Sequence, residues 1–408
     1  MRDSTQLPVT RRMLPSLYQS LCLILSSQNL SGINLSGINL SGINLSGISP
    51  SSINLGTSAL FLHSRICQRL AKFQIPRPIK HQSQRFGIFA LACFVAVTLS
   101  GCANSLETCA RTELKLTWAE PAELQATVTI LSSDEFEGRK TQTQGAAKSR
   151  DYIKQQFEDL NFQPWGADFI VPFEYQTFFT QETGANVVAT AMATAPTNRW
   201  RIIVAHYDHL GMSGSKIYHG ADDNASGVAA MLAIAKHWQQ QFALQPNTLP
   251  KVNLMFVATD AEEPGLYGSI ALVEQLKTRL PEATFELMIN LDMVSHPGRP
   301  YGIYLEGSRN FTQFNQFKPL LNQQNRLCIK LTHPKPVGRS IQSTDWLRAS
   351  DHYPFHKANI PWLYFGVPTH PQYHTPEDTV ATIDITFLAA VTESAFELLQ
   401  LNAEYLKN

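Results

Sequence analysis

Segment 252–259 is apolar almost without a break. A run of that length suits a strand covered on both faces, the kind found inside an α/β sheet. Segment 287–291 reads as a second buried strand, and 186–189, 201–205, 303–305 and 362–365 as further strands. Apolar residues at helical spacing predict helices at 122–131, 146–160, 225–238, 268–280, 311–325 and 387–406, the second of them through Tyr152, Ile153, Phe157 and Leu160. This alternation predicts an α/β fold: a single domain with a mixed, mostly parallel central sheet flanked by helices on both faces. The strands at 186–189 and 201–205 are expected to be neighbours, and no boundary is expected within about 120–408.

Polar residues gather where these apolar runs stop. Ile202, Ile203 and Val204 lead into His206, Tyr207 and Asp208, and a Gly-containing loop then brings Asp222, Asp223 and Asn224 to the start of a small-residue helix. The run ending at Thr259 passes into Asp260, Glu262 and Glu263, and the run ending at Leu291 into Asp292. Ser350, Asp351 and His352 form a fourth group, and Tyr373, His374, Glu377 and Asp378 a fifth. One acid after one strand is most often a helix cap or a solvated loop residue. Five separate elements delivering imidazole or carboxylate to one sheet edge point to chemistry, because open α/β sheets bind ligands at the carboxyl ends of their strands. Those side chains also suit zinc.

In order, the strings AHYDH, GADDNASG, DAEEPGLYGS, NLDM, SDHYPF and YHTPEDT resemble the co-catalytic di-zinc exopeptidase family that contains aminopeptidase Y, the secreted bacterial leucine-preferring aminopeptidases, glutamate carboxypeptidase and glutaminyl cyclase. The resemblance runs from about Leu124 to the C-terminus. It implies a zinc-exopeptidase fold of the phosphorylase/hydrolase-like type and two Zn2+ per chain. His206 and Asp292 would bind one ion, Glu263 and His374 the other, and Asp223 would bridge them, with a cis peptide bond to Asn224. Glu262 would be the general base, and Asp208 would orient the His206 imidazole. The reaction implied is hydrolysis of N-terminal residues from peptides through a zinc-bound hydroxide.

Elementary chemistry agrees with that assignment. Two ions about 3.5–4 Å apart need a ligand that reaches both, which a two-oxygen carboxylate can do and an imidazole cannot. Three carboxylates and two imidazoles leave the pair with about one positive charge, so hydroxide is stabilised. Tyr373 is either a hydrogen-bond donor to the oxyanion or an aromatic of the pocket wall. His209, His219, His237 and His352 are read as structural or solvated. Ser350 to His352 are too close in sequence to face each other as nucleophile and base. Arg348 lies one residue earlier than the basic residue of some relatives, which argues against substrate anchoring there.

A glutaminyl-cyclase-like acyltransferase with one zinc is the main alternative, and a non-catalytic binding protein of the same fold the remaining one. Relatives that release glutamate carry extra domains, and the stretch between Asn186 and Arg201 leaves no room for one. Zero formal net charge gives no reason to expect nucleic acid as a partner. Peptides are the expected partners, and a monomer the expected state.

Residues 1–82 carry NLSGI pentapeptide repeats and are expected to be disordered, or to precede the true start. Too few coils are present to bury a solenoid core. Residues 83–102 read as a lipoprotein signal peptide, with a basic flank, an apolar stretch and Leu-Ser-Gly-Cys resembling the bacterial lipobox. Lipidation of Cys102, export, and attachment to a bacterial cell membrane are therefore expected. A tether over 103–120 and the peptidase domain over 121–408 complete the division. Cys109 and Cys328 are free to pair in an oxidising compartment, although nothing in the sequence requires it.

Overall fold

A computed structural model describes residues 109–246, 249–331 and 345–406. The pentapeptide repeats, the export signal and Cys102 lie outside the described residues. Nine strands of the described chain form one sheet. Its centre consists of four strands that pair in parallel, β7 (Asn253–Thr259), β4 (Arg199–His206), β8 (Thr284–Leu291) and β11 (Trp362–Gly366), in that spatial order. Antiparallel neighbours flank them: β3 (Gln181–Ala191) on β7, and β9 (Ile303–Glu306) on β11. The two-residue β1 (Gln163–Pro164) and the longer β2 (Ile170–Gln176) pair with β3, and β10 (Ile329–Lys330) lies parallel to β9. A separate hairpin joins β5 (Gly211–Ser213) to β6 (Lys216–Tyr218). This is the mixed sheet that the sequence implied, parallel in its middle and antiparallel toward both margins.

Alternation along the central strands feeds two hydrophobic layers. Ile203, Phe256, Ile289 and Phe365 face a core shared with α1 (Pro121–Leu131), α2 (Gln144–Asp159), α3 (Gly227–Leu244) and α7 (Ile385–Gln400). Ile202, Val257, Met288 and Trp362 face the other side, against Leu272 and Leu276 of α4 (Tyr267–Arg279) and Phe355 of the short helix His352–Lys357. Both sheet faces are thus covered, which is why these strands read as continuous apolar runs and not as alternating ones.

Three expectations need correction. The strands at 186–189 and 201–205 are not neighbours: β7 lies between them, because β3 runs antiparallel and pairs along one edge of β7 while β4 takes the other. Segment 311–325 is not one helix. It breaks into the single turn Phe314–Phe317 and a tighter turn over Lys318–Asn322, where Pro319 has no N–H with which to continue the helical hydrogen bonds. The last helix ends at Gln400, before the expected 406. Its terminal carbonyls find a partner in the buried Arg201, whose Nη1 donates to Leu399 O at 2.6 Å and whose Nη2 donates to Leu401 O at 2.7 Å.

Residues 109–119, expected to belong to a tether, are packed onto the domain. A disulfide joins Cys109 to Cys328, and Leu114, Leu116 and Trp118 lie against the core. Glu393 of α7 accepts hydrogen bonds from the amides of Thr117 (2.6 Å), Trp118 (2.7 Å) and Ala119 (3.0 Å). That anchor spans more than 270 residues of sequence and leaves no local pattern to read. Because the acceptor is a buried carboxylate, Glu393→Ala should lower the free energy of unfolding by about 1.5–3 kcal/mol, measured by denaturant titration. An unchanged midpoint would show that the segment is held by its apolar side chains alone.

Candidate metal centre

Every strand of the parallel centre ends at one place. His206 is the last residue of β4; Glu262 and Glu263 follow β7, Asp292 follows β8, and His374 follows β11. Asp223 comes from the irregular turn Ala221–Ser226 that leads into α3, and its peptide bond to Asn224 is cis. His206 Nε2 stands 3.3 Å from Asp292 Oδ1 and 3.4 Å from Asp223 Oδ1. His374 Nε2 stands 3.1 Å from Asp223 Oδ2 and 3.2 Å from Glu263 Oε2. The two oxygens of Asp223 therefore face two different pairs, each made of one imidazole and one further carboxylate.

Those spacings suit metal. Ligand atoms about 2.0–2.2 Å from a tetrahedral ion stand roughly 3.3 Å from one another, which matches the separations within both sets. His374 Nε2 is buried and has no hydrogen-bond partner despite the two carboxylates beside it, as expected of a ligand atom aimed at an ion. His209, read from sequence as structural or solvated, also belongs here: its Nδ1 is 2.8 Å from Glu263 Oε1 and 3.8 Å from Asp223 Oδ2. Its signal was its place in AHYDH, three residues after His206.

Electrostatics point the same way. Burial disfavours a charge on His206, yet Glu262, Asp292 and Asp223 outweigh it and hold the imidazole well above its usual pKa. His374 is likewise pushed up to about 10, against burial, by Asp223 and Glu263. Burial, reinforced by Asp292, Asp351 and Glu263, lifts the Glu262 carboxyl well above the carboxylate range, with His206 opposing. Burial and the charge of Glu263 raise Asp223 as well. Such a crowd of carboxylates draws protons when nothing else is present, and bound cations replace those protons.

The ligand loops are held by Arg139, Asp378 and Asn224, of which Arg139 carries no mark in the sequence. Arg139 is fully buried and donates to the carbonyls of Tyr207 (2.9 Å), Leu131 (2.7 Å), His219 (2.6 Å), Gly220 (2.8 Å) and Asp223 (3.4 Å). It sits in what reads as a polar loop, 133–139, where no periodicity singles it out. Burial lowers its pKa to about 10, with Asp223 and Asp378 opposing that fall. Asp378, from the YHTPEDT string, accepts the amides of Asp222 at 3.0 Å and Asp223 at 3.1 Å. Asn224 donates to Leu291 O at 2.9 Å and accepts from Gly227 N at 2.9 Å, tying the Asp223 turn to the end of β8.

Asp208 is placed differently from the expectation. Its backbone oxygen is the atom near His206 Nδ1, at 3.2 Å, whereas its carboxylate is 3.9 Å away and accepts the amides of Glu262 (3.0 Å) and Glu263 (3.2 Å). The carboxylate thus fixes the loop that carries both glutamates. Ser350, Asp351 and His352 stand apart as nucleophile and base. Ser350 Oγ accepts from Asn290 at 2.8 Å, Asp351 accepts from Thr259 Oγ1 at 2.5 Å, and the His352 ring lies 4.6 Å from that of Tyr364. His219 Nδ1 lies 3.0 Å from Ser132 O, and His237 stacks on Trp118 at 3.9 Å. Arg348 pairs with Asp345 and lies over the Tyr353 ring at 5.4 Å, outside the cavity wall.

A cavity of about 60 Å³ opens onto His206, Asp223, Glu262, Glu263 and Asp292, with room for roughly two waters. Met293, Trp346, Tyr364, Val367 and Tyr373 also line it. Tyr373 stacks on His374, ring centroids 3.8 Å apart.

Residues 186–399 match the sequence profile of peptidase family M28. Aminopeptidase YwaD of Bacillus subtilis (strain 168) is 29% identical over 219 residues, which cover 50% of this chain and 42% of YwaD. The chain spans about half the length, 42% and 47%, of the curated relatives that it matches at 29% and 31% identity. The fold is shared with BSAP, a zinc aminopeptidase from Bacillus subtilis (TM-score 0.52, 17% identity, 71% of this chain and 98% of that one). It is shared equally with Fimbriiglobus ruber glutaminyl cyclase (TM-score 0.53, 18% identity, 72% and 97%).

Proposed function

The chain belongs to peptidase family M28, and from that premise we propose that it is a zinc-dependent aminopeptidase hydrolysing the N-terminal peptide bond of peptides. The observation that carries this reading is the bridging position of Asp223, one oxygen toward His206 and Asp292 and the other toward His374 and Glu263. These five residues would hold two zinc ions. When bound, the pair supplies Lewis acidity to the scissile carbonyl and makes water acidic enough to lose a proton at neutral pH.

The chain's own groups do the rest. Glu262 lines the cavity without belonging to either ligand set, so it is free to take the proton of the attacking water and return it to the leaving amine. The Asp208 carboxylate keeps Glu262 and Glu263 at a fixed spacing by accepting both of their amides. Burial pushes the Tyr373 phenol far above its usual pKa, and the nearby carboxylates add to this. The phenol therefore remains a proton donor, suited to hydrogen-bond the oxyanion from the cavity wall. Met293, Trp346 and Val367 in that wall support a substrate with an apolar N-terminal side chain.

Export and lipid anchoring at Cys102 belong to the same proposal. The Cys109–Cys328 disulfide supports an oxidising compartment.

The test sets leucine p-nitroanilide against a peptide with N-terminal glutamine. Release of p-nitroaniline without cyclisation of the glutaminyl peptide is expected. Cyclisation without release would replace this reading by that of a glutaminyl cyclase, and neither reaction would leave a binding protein.

A further inference from the structure

Asp222, His296 and His370 form a second cluster of ligating side chains, apart from the cavity of the centre. One nitrogen each from His296 and His370 and one oxygen from Asp222 lie within 4.8 Å of one another. Each is a near neighbour in sequence of a residue in the centre: Asp222 of Asp223, His296 of Asp292, His370 of His374. None of the three reaches into the cavity of the centre.

Their surroundings look like those of ligands. Asp222 Oδ1 is saturated, accepting from Ser295 N at 2.8 Å and Ser295 Oγ at 2.6 Å. Oδ2 is left to face His370 Nε2 at 3.1 Å. Across its ring, His370 Nδ1 is 3.3 Å from Gln372 Oε1, which is the outer partner that fixes a ligating imidazole's tautomer and leaves Nε2 its lone pair. The His296 ring lies flat against that of His370, centroids 3.8 Å apart and 4° from parallel. Its Nε2 is buried with no hydrogen-bond partner. A buried imidazole nitrogen without a partner costs free energy. A cation removes that penalty.

We propose that Asp222, His296 and His370 form a third metal site, selective for a borderline transition ion such as Zn2+ or Co2+, with its remaining positions filled by water. Two imidazoles and one carboxylate are a zinc-type donor set, not one for Mg2+ or Ca2+. Ligand atoms around such an ion stand roughly 3.3 Å apart, and the lone pairs of parallel rings do not converge, so binding turns the two imidazoles out of their stack. Because Asp378 accepts the amides of both Asp222 and Asp223, occupancy bears on the bridging residue of the centre. The site itself does not depend on the chemistry proposed for that centre.

The experiment loads the metal-free full chain with Zn2+ alone and reads metal content per chain, and in parallel with Co2+ alone and reads visible absorption. Wild type should take up one ion more than a His296→Phe/His370→Ala variant, and should show cobalt bands that the variant lacks. His296→Phe alone keeps a flat ring in the stack while removing the ligand, so it serves if the double variant does not fold. Glu263→Ala, which disturbs only the first centre, should keep the cobalt bands. Equal metal content and equal cobalt spectra in wild type and the folded variants would overturn the proposal.

Discussion

Asp223→Ala should abolish turnover and leave the protein with at most one zinc per chain by elemental analysis. Among the described residues no other side chain faces both imidazole–carboxylate pairs, and its two oxygens serve one each. Losing an outer partner of a metal ligand already costs about 10–100-fold in affinity, and loss of a shared ligand should cost each ion more. The effect on the metal-free chain should be the reverse of the usual one for a buried residue. Burial and Glu263 both disfavour the Asp223 carboxylate, so its removal relieves a like-charge contact, while the amide of residue 223 keeps Asp378 as its acceptor. The metal-free variant should therefore melt no lower than metal-free wild type. What it should lose is stabilisation by added zinc, which is about 2.7 kcal/mol for an intact site at a hundred times its dissociation constant. Zinc-dependent stabilisation equal to that of wild type would remove Asp223 from the centre.

Glu262→Gln should keep both zinc and fold, yet lower kcat by 10²–10⁴-fold, the usual contribution of a positioned acid or base. Glutamine has nearly the same shape and retains the backbone amide that Asp208 accepts. It also removes a charge that burial and Asp292 disfavour, so the loss cannot come from instability. Metal analysis and kcat on one preparation check the prediction. A fully active glutamine variant would move the proton to another group.

The sequence made the centre of the fold legible because each central strand is apolar on both faces and stops at a polar residue. His206, Asp223, Glu262, Glu263 and Asp292 stood out for that reason, each at or just past such a stop or at a helix start, and His374 in the loop after the last of these strands. Elements at the margins left weaker traces. The strand Ile170–Gln176 alternates between the buried Val171 and Phe173 and the exposed Pro172 and Glu174, but a proline inside so short a run argues against a strand. Spatial order was invisible as well: β7 lies between two strands that precede it in sequence, and all three are apolar enough to pair with either neighbour. Arg139 and Glu393 act through backbone atoms of distant segments. Carbonyl and amide partners are the same for every residue type, so nothing in the composition of those segments announces them. Asp208 was found as a site residue, but its partners are the two glutamate amides, because the loop after β7 folds back over it.

The cluster at the end of β4, β7, β8 and β11 inherits its geometry from strand pairing. A slip of β4 by one residue against its neighbours would turn His206 to the opposite face of the sheet, and the same shift would carry Ile203 into the layer that Ile202 packs against. Wrong pairing thus mismatches the packing of both layers along the strand before any ion is involved. Folding and metal loading are therefore separable here, unlike in small zinc domains where the ion drives the chain to fold. The bare chain can be selected for correct assembly first, and receives its cations into a cradle that already exists.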